Sequence, residues 1–394
     1  PASLPKLDRS RSSPRLARLI PMHRTIRLAA LLLTTVVSPA SEFTAEWQGT
    51  RQWIGPQFWA SPLFDWQTEN GTVVCRLSKG RLLHLLTHHL TSPEKSGTLQ
   101  TTVELPPADR VSMPHRIWAG FAIGLGGQMD DPRHIAVAPT RRIDVGIRAD
   151  GRLMIGKDLL SKTPLKGSGP AKLKLVITGQ GIKLDARRAG HSISLSQAFP
   201  PAQLRGNVCL AGSSPRKTND PRGPILARFR NWSLSGGAFE ETGIDPFGPI
   251  LWSQYTRQGK RVKLSVQMPP MGPDDAKQVD LQIRPKGRTD WRQVGTASIH
   301  PLARTALFAF DLPSDSGAWD YRAVYRWQDS DHGWTGTLIE DPVHGNAPLR
   351  IGVFSCDNGY AFPLPTLTRN VAIQDPNLLF FAGDQIYENF GGLG

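Results

Sequence analysis

The sequence predicts a multi-domain, strand-dominated chain in which two β-sandwiches are followed by a short strand–helix–strand segment. Three observations lead there. At 394 residues the chain is longer than one ordinary core accommodates. Apolar residues at 39% and charged residues at 20% give a globular composition, and 38 Gly with 33 Pro favour short elements and turns. Hydrophobic alternation with period two recurs from Ser41 to Trp327, while sustained helical periodicity is scarce.

The N-terminus reads as a targeting segment. Met22-His23-Arg24-Thr25-Ile26-Arg27 is basic, Leu28 to Val37 is a ten-residue apolar run, and Ser38-Pro39-Ala40 supplies small residues. That order is the one of a secretory signal over 22–40, too short to span a bilayer, which takes roughly 20 apolar residues. Residues 1–21 precede the first Met without a pattern and are expected to be a mis-extended N-terminus. The expected location is therefore secreted or periplasmic, with no transmembrane segment.

From 41 to 241 the text is strand-like. Ile143-Asp144-Val145-Gly146-Ile147-Arg148 alternates, Asp150-Gly151 turns, and Leu153-Met154-Ile155 returns, which predicts a hairpin. Leu173, Leu175 and Ile177 lead into a second turn at Gly179-Gln180-Gly181, after which Ile182, Leu184 and Ala186 run back. Further strands are expected at 99–104, 117–124, 206–211 and 225–234. Many short strands without intervening helices indicate a β-sandwich or jelly roll. The cadence resembles the laminin-G/concanavalin-like sandwich, with Ala227-Arg228-Phe229-Arg230-Asn231-Trp232 beginning its closing strand.

Gly243-Ile244-Asp245-Pro246-Phe247-Gly248-Pro249 reads as a linker. Over 245–347, Val262/Leu264/Val266 and Val279/Leu281/Ile283 alternate. Trp319, Tyr321, Ala323, Tyr325 and Trp327 form one face of a strand, opposite Asp320, Arg322 and Arg326. Such strands predict an immunoglobulin- or fibronectin-III-like sandwich with an aromatic core. After Pro348 the pattern changes. Leu349 to Phe354 is a short strand, 364–374 a helix, and Leu378 to Ala382 an uninterrupted apolar strand. Strand, helix and apolar strand in succession predict a parallel βαβ unit over 349–394.

Chemistry-bearing residues concentrate at that last segment. Cys356 and Asp384 fall just beyond the carboxyl ends of the two strands, where open α/β sheets bind ligands, and Tyr387 follows three residues on. Thiolate, carboxylate and phenolate make a ligand set suited to ferric iron beside an oxygen-preferring cation. Ser355-Cys356-Asp357-Asn358-Gly359-Tyr360 and Gly383-Asp384-Gln385-Ile386-Tyr387-Glu388 resemble the start of the alkaline phosphatase D (PhoD-like) family of metallophosphoesterases. Leu251-Trp252 resembles the opening of the immunoglobulin-like domain that precedes its catalytic domain. The resemblance implies that 349–394 is the truncated start of an α/β metallophosphoesterase domain. It also implies that Asp384 bridges two metals, iron plus calcium or another divalent ion, with Cys356 and Tyr387 on the iron. Asp357 stands where that family usually has Gln. The implied substrate is a phosphate mono- or diester, and the family's downstream ligands lie beyond Gly394, so these 394 residues are predicted inactive.

Three cysteines suggest one disulfide and one leftover thiol; Cys75 and Cys209, both in the first sandwich, are the expected pair. His84 and His88 are four apart, but no Glu follows His84 and the region is all β, so they read as strand histidines. The glycine-rich stretch Gly120–Gly127 lacks the Lys-Ser/Thr of a phosphate loop. The formal charge of +14 is spread without a dense basic tract, and no nucleic-acid motif is present. Its alternative meaning is a secreted glycan- or anionic-polymer-binding sandwich without catalysis.

Overall fold

The computed structural model describes residues 41–60, 62–215, 224–342, 348–356 and 363–385. The expected N-terminal extension, the expected signal segment and Tyr387 lie outside the described residues.

Among the described residues, the strands up to Glu241 form a nine-stranded and an eight-stranded sheet. In the first, the order is His191–Ala198, Gly181–Arg188, Ala171–Thr178, Gly97–Glu104, Leu226–Gly236, Thr72–Arg76, Trp66–Glu69 and Thr50–Arg51. Ser41–Thr44 also pairs with Leu226–Gly236. In the second, Leu159–Leu160, Leu153–Ile155, Arg141–Arg148, Trp118–Gly126, Gly206–Ser214, Lys79–Leu90 and Phe239–Glu241 follow one another, and Phe58–Ala60 pairs with Lys79–Leu90. Both predicted hairpins form. Gly151, at φ +85, turns Arg141–Arg148 into Leu153–Ile155, a conformation that a side chain would strain. Ala171–Thr178 pairs antiparallel with Gly181–Arg188.

Leu173, Leu175 and Ile177 from one sheet meet Leu85, Phe121 and Val145 from the other in a single apolar core. Trp66 stacks on Phe229 with ring centroids 6.0 Å apart, and Phe58 on Trp232 at 5.6 Å. Full burial of each such side chain contributes about 1.5–3 kcal/mol, so the alternation that set the strands also fixes which face points inward.

Trp252–Gln258, Arg261–Gln267 and Thr305–Asp311 form a three-stranded sheet. Arg292–Ser298, Gln278–Pro285, Trp319–Trp327 and Ser330–Leu338 form a four-stranded one. Val262, Leu264, Val279, Leu281, Tyr321 and Tyr325 share a second core, as the alternation predicts. Trp53, which precedes the first sandwich's long strands, belongs to this second core. Its indole Nε1 donates to Phe247 O at 2.8 Å, and its ring lies 4.8 Å from that of Trp327. Arg51 beside it pairs with Asp275 at 3.3 Å and lies over the Trp327 ring at 5.1 Å. Gly272 passes so close to Thr50 O that a Cβ would sit 2.3 Å from it. The two sandwiches are therefore tied by a tryptophan, a buried ion pair and a backbone contact.

Ile351–Phe354 and Leu378–Phe381 pair in parallel, with the helix Pro365–Gln374 between them in sequence. This is the predicted βαβ unit. The predicted burial on both faces is absent: Val353 is 63% exposed, Phe381 59% and Ile373 71%. A two-stranded sheet with one helix has no second layer to cover it. The described residues thus hold no layered α/β domain, and the expected start of a metallophosphoesterase domain is corrected to this isolated unit. No described helix is long and apolar enough to cross a membrane.

Candidate functional site

The sequence singled out the carboxyl edge of the parallel strands, and two of its residues do meet there. Cys356 Sγ lies 3.6 Å from Asp384 Oδ2, both residues have positive φ (57 and 56), and Cys356 N donates to Gly383 O at 3.3 Å. The third expected ligand, Tyr387, is outside the described residues. Among those described, no cluster of three or more His, Cys, Asp or Glu could hold a metal ion. One thiol and one carboxylate form an edge, not a cage; two-metal hydrolysis requires ligands that enclose a bound hydroxide.

The expected Cys75–Cys209 disulfide is also corrected, since both residues are free and buried. Cys75 belongs to the core between the two sheets. Cys209 belongs to a different cluster on the far face of the eight-stranded sheet, with Trp118, Ala122 and Ile135. The sheet itself separates the two side chains. Burial pushes both thiols well above their ordinary pKa.

That far face carries the densest set of titratable groups. The short helix Pro132–Val137, capped by Asp131 accepting from Arg133 N, packs Ile135 against it. Beneath lie Cys209 Sγ, 3.2 Å from His84 Nδ1, and Asn207 Nδ2, 3.5 Å from the same nitrogen and 3.0 Å from Pro132 O. Arg142 and Asp144 form an ion pair at 3.2 Å on Arg141–Arg148, one strand beyond Trp118–Gly126. Cysteine, histidine and asparagine together are the residue types of a thiol nucleophile. The electrostatics argue against that use. Burial, aided by Arg142, holds His84 down to about 3, and desolvation keeps Cys209 protonated, so the contact joins a neutral thiol and a neutral imidazole. Its role is to satisfy buried polar atoms.

His88 does not share this face despite lying four residues from His84. The pairing of Gly206–Ser214 with Lys79–Leu90 shifts between Asn207 and Cys209, and that irregularity turns His88 inward, 5.6 Å from the Phe43 ring. The strand reading of both histidines stands, and the i, i+4 face does not exist.

The outer face of the nine-stranded sheet is open instead. Along Ala171–Thr178 and Gly181–Arg188 every second residue is buried, leaving Lys172, Lys174, Lys183 and Arg187 exposed. Register lines them into rows across the strands. Ser192 is opposite Arg187, Arg187 opposite Lys172, Lys172 opposite Thr102, and Thr102 opposite Arg230. The next row runs Ser194, Asp185, Lys174, Gln100 and Ser233. Partial burial pushes the Asp185 carboxyl up, but hydrogen bonds from Ser194 and Lys183 together with the charges of Lys183 and Lys174 hold it below the usual carboxylate range. Arg230 Nε donates to Thr72 Oγ1 at 2.9 Å, fixing one guanidinium in place. Among the described residues Lys172, Lys174 and Arg187 form no ion pair. The face thus presents cations interleaved with hydroxyls, amides and the carboxylates of Asp185, Glu104 and Glu69, and no aromatic ring. Sequence reading saw only thin, scattered basic charge. The signal was a Lys or Arg at every second position of separate strands, and only their pairing makes it a row.

No family model and no curated protein matches this chain. Solved structures similar to it include arcelin-5, a lectin-like defense protein from Phaseolus vulgaris. That match has 10% identity and a TM-score of 0.37, and covers 50% of this chain and 99% of that one. Lectin II from Ulex europaeus is similar at 10% identity and TM-score 0.36, covering 50% and 99%. The GH43 protein BlXynB from Bacillus licheniformis is similar at 10% identity and TM-score 0.29, covering 44% and 37%. The expected alkaline phosphatase D-like identity is corrected: no phosphatase family model matches the chain, and its described residues form β-sandwiches without a layered α/β domain. With it go the expected phosphoric ester hydrolysis, the phosphodiesterase reading and the metal-binding description. The β-sandwich class stands.

Proposed function

We propose that this protein binds an acidic polysaccharide through the outer face of the nine-stranded sheet, without performing catalysis. The observation that carries the reading is the register-aligned row Arg187, Lys172 and Arg230, flanked by Ser192 and Thr102. Neighbouring strands lie about 4.8 Å apart, so cations and hydroxyls are spaced across the sheet on the scale of a sugar ring. A polyuronate offers the complement: a carboxylate on every unit for the cations and ring hydroxyls for Ser, Thr and Gln. Nucleic-acid strands are bound by faces that interleave cations with aromatic rings for base stacking, and this face has no such ring. The cations are solvated, so each contact is weak and salt-sensitive, and affinity comes from their number.

The test is affinity electrophoresis of the full chain through polygalacturonate and through neutral dextran, over a salt series. Retardation by polygalacturonate alone, falling steeply with salt and lost in the K172E/K174E/R187E variant, is the expected result. Equal mobility in the two polymers, or retardation that survives the triple variant, would sink the reading.

A further inference from the structure

Where the nine-stranded sheet ends at Thr50–Arg51, its outer face runs into a cleft of about 460 Å³ between the two sandwiches. The cleft is continuous with the basic face through Gln67, whose neighbours in the pairing across the sheet are Val74 and then Arg228. Its floor and walls combine two chemistries. Pro269, Pro270, Met271 and Pro301 make an apolar, conformationally stiff wall. Arg51, Lys277, Arg304, Gln52 and Gln67 supply donors, and no carboxylate is among the lining residues.

Arg51 is the informative member. It is 6% exposed, its guanidinium contacts Asp275 at 3.3 Å, and its Nε has no hydrogen-bond partner. Burial lowers its pKa, opposed by Asp275. Paired with Asp275 and shielded from solvent, Arg51 braces the cleft wall, and the exposed Lys277 and Arg304 carry the charge that an anionic oxygen meets. Lys277 donates to Gly272 O, and Gly272 N in turn donates to Asp275 Oδ2 at 2.6 Å, so the loop carrying these groups is braced before any ligand arrives. His300 Nδ1 accepts from Leu302 N and Ala303 N at 3.3 and 3.0 Å, which leaves Nε2 as the protonated nitrogen of the neutral ring.

We infer that this cleft is a second, higher-order subsite that takes a single hexuronate unit. Its carboxylate meets Lys277 and Arg304, its hydroxyls meet Gln52 and Gln67, and its C–H face rests on the proline and methionine wall. Clefts at domain seams lined by an apolar wall with a few convergent polar groups are the usual form of small-ligand sites. The inference builds on the polyuronate reading: the open face supplies many weak contacts along a polymer, and the cleft supplies one enclosed contact at a unit of it. Linking the two makes the second event intramolecular and raises overall avidity without new contacts.

The experiment measures binding of trigalacturonate to the full chain by calorimetry, beside maltotriose as the neutral control. The expected result is binding of trigalacturonate and not maltotriose, weakened at least tenfold in K277E/R304E. Both altered cleft residues are exposed, and an unchanged thermal midpoint verifies that the variant folds. No heat with trigalacturonate, or equal affinity in K277E/R304E, overturns the cleft assignment whatever the polymer does. Trigalacturonate binding together with unretarded migration through polygalacturonate would instead sink the open-face reading and leave the cleft standing.

Discussion

On the nine-stranded sheet, Ala171–Thr178 alternates between buried and exposed at each residue, whereas on the eight-stranded sheet every residue of Trp118–Gly126 is buried. Both sheets contribute to the same core. They differ in what lies on the other side: solvent for the first, and the Pro132–Val137 segment with its own apolar cluster for the second. The covered face collects His84, Cys209 and Asn207, residue types suggestive of catalysis, and the covering holds them neutral. The open face has no such constellation, yet its charges remain available. Burial thus silences the residue types suggestive of catalysis on the covered face, whereas the open face leaves its charges accessible.

Thiol accessibility offers the widest contrast. Titration of the native protein with Ellman's reagent is expected to release one equivalent promptly, from exposed Cys356. Cys75 and Cys209 should react only on unfolding, slower by orders of magnitude. Two prompt equivalents would mean that one buried face is open.

Truncating the covered face should cost the most stability. Trp118→Ala removes a large side chain that is 8% exposed from the cluster under the helix, and is expected to cost about 3–5 kcal/mol in urea unfolding. A loss under about 1 kcal/mol would show that the covering segment is not packed.

Acid should then loosen the same region. His84 and His89 titrate in the folded chain at about 3 and about 4, below the ordinary histidine value of 6.5, because burial disfavours their charged forms. The unfolded chain therefore binds protons first as pH falls. Stability is fully present above 6.5 and is lost as pH drops from there through the folded values, by up to about 1.4 kcal/mol per pH unit for each imidazole. The urea midpoint should fall between pH 7 and pH 4.5; a flat profile would mean these rings are solvated in the native state.

The smallest effect belongs to the open face. Lys172→Gln should change stability by no more than about 0.5 kcal/mol, since it is a solvated surface substitution facing Arg187 and Thr102. A larger loss would assign Lys172 a structural role and weaken the comparison.

Much of this architecture was legible locally. Leu173/Leu175/Ile177 and Trp319/Tyr321/Ala323/Tyr325 named their strands and inward faces, and Asp150-Gly151 named its turn, because side-chain direction in a strand depends only on position along that strand. The final βαβ unit was equally readable from a change of period. Its uncovered faces were not, because coverage depends on what else packs there.

What the amino-acid sequence determined by itself was about half of the strands, the inward faces of the clearest ones and a net basic charge. Tertiary structure alone decided the rest. The irregular pairing at Asn207 sent His84 and His88 to opposite faces, and an intervening sheet kept Cys75 and Cys209 apart. Distant strands brought Arg187, Lys172 and Arg230 into one row, and Trp53 with Arg51 closed the seam that forms the cleft. The reason is common to all four. Alternation is a property of adjacent residues, whereas register, bulges and sheet order are set by contacts between residues far apart in the chain, which no local pattern encodes.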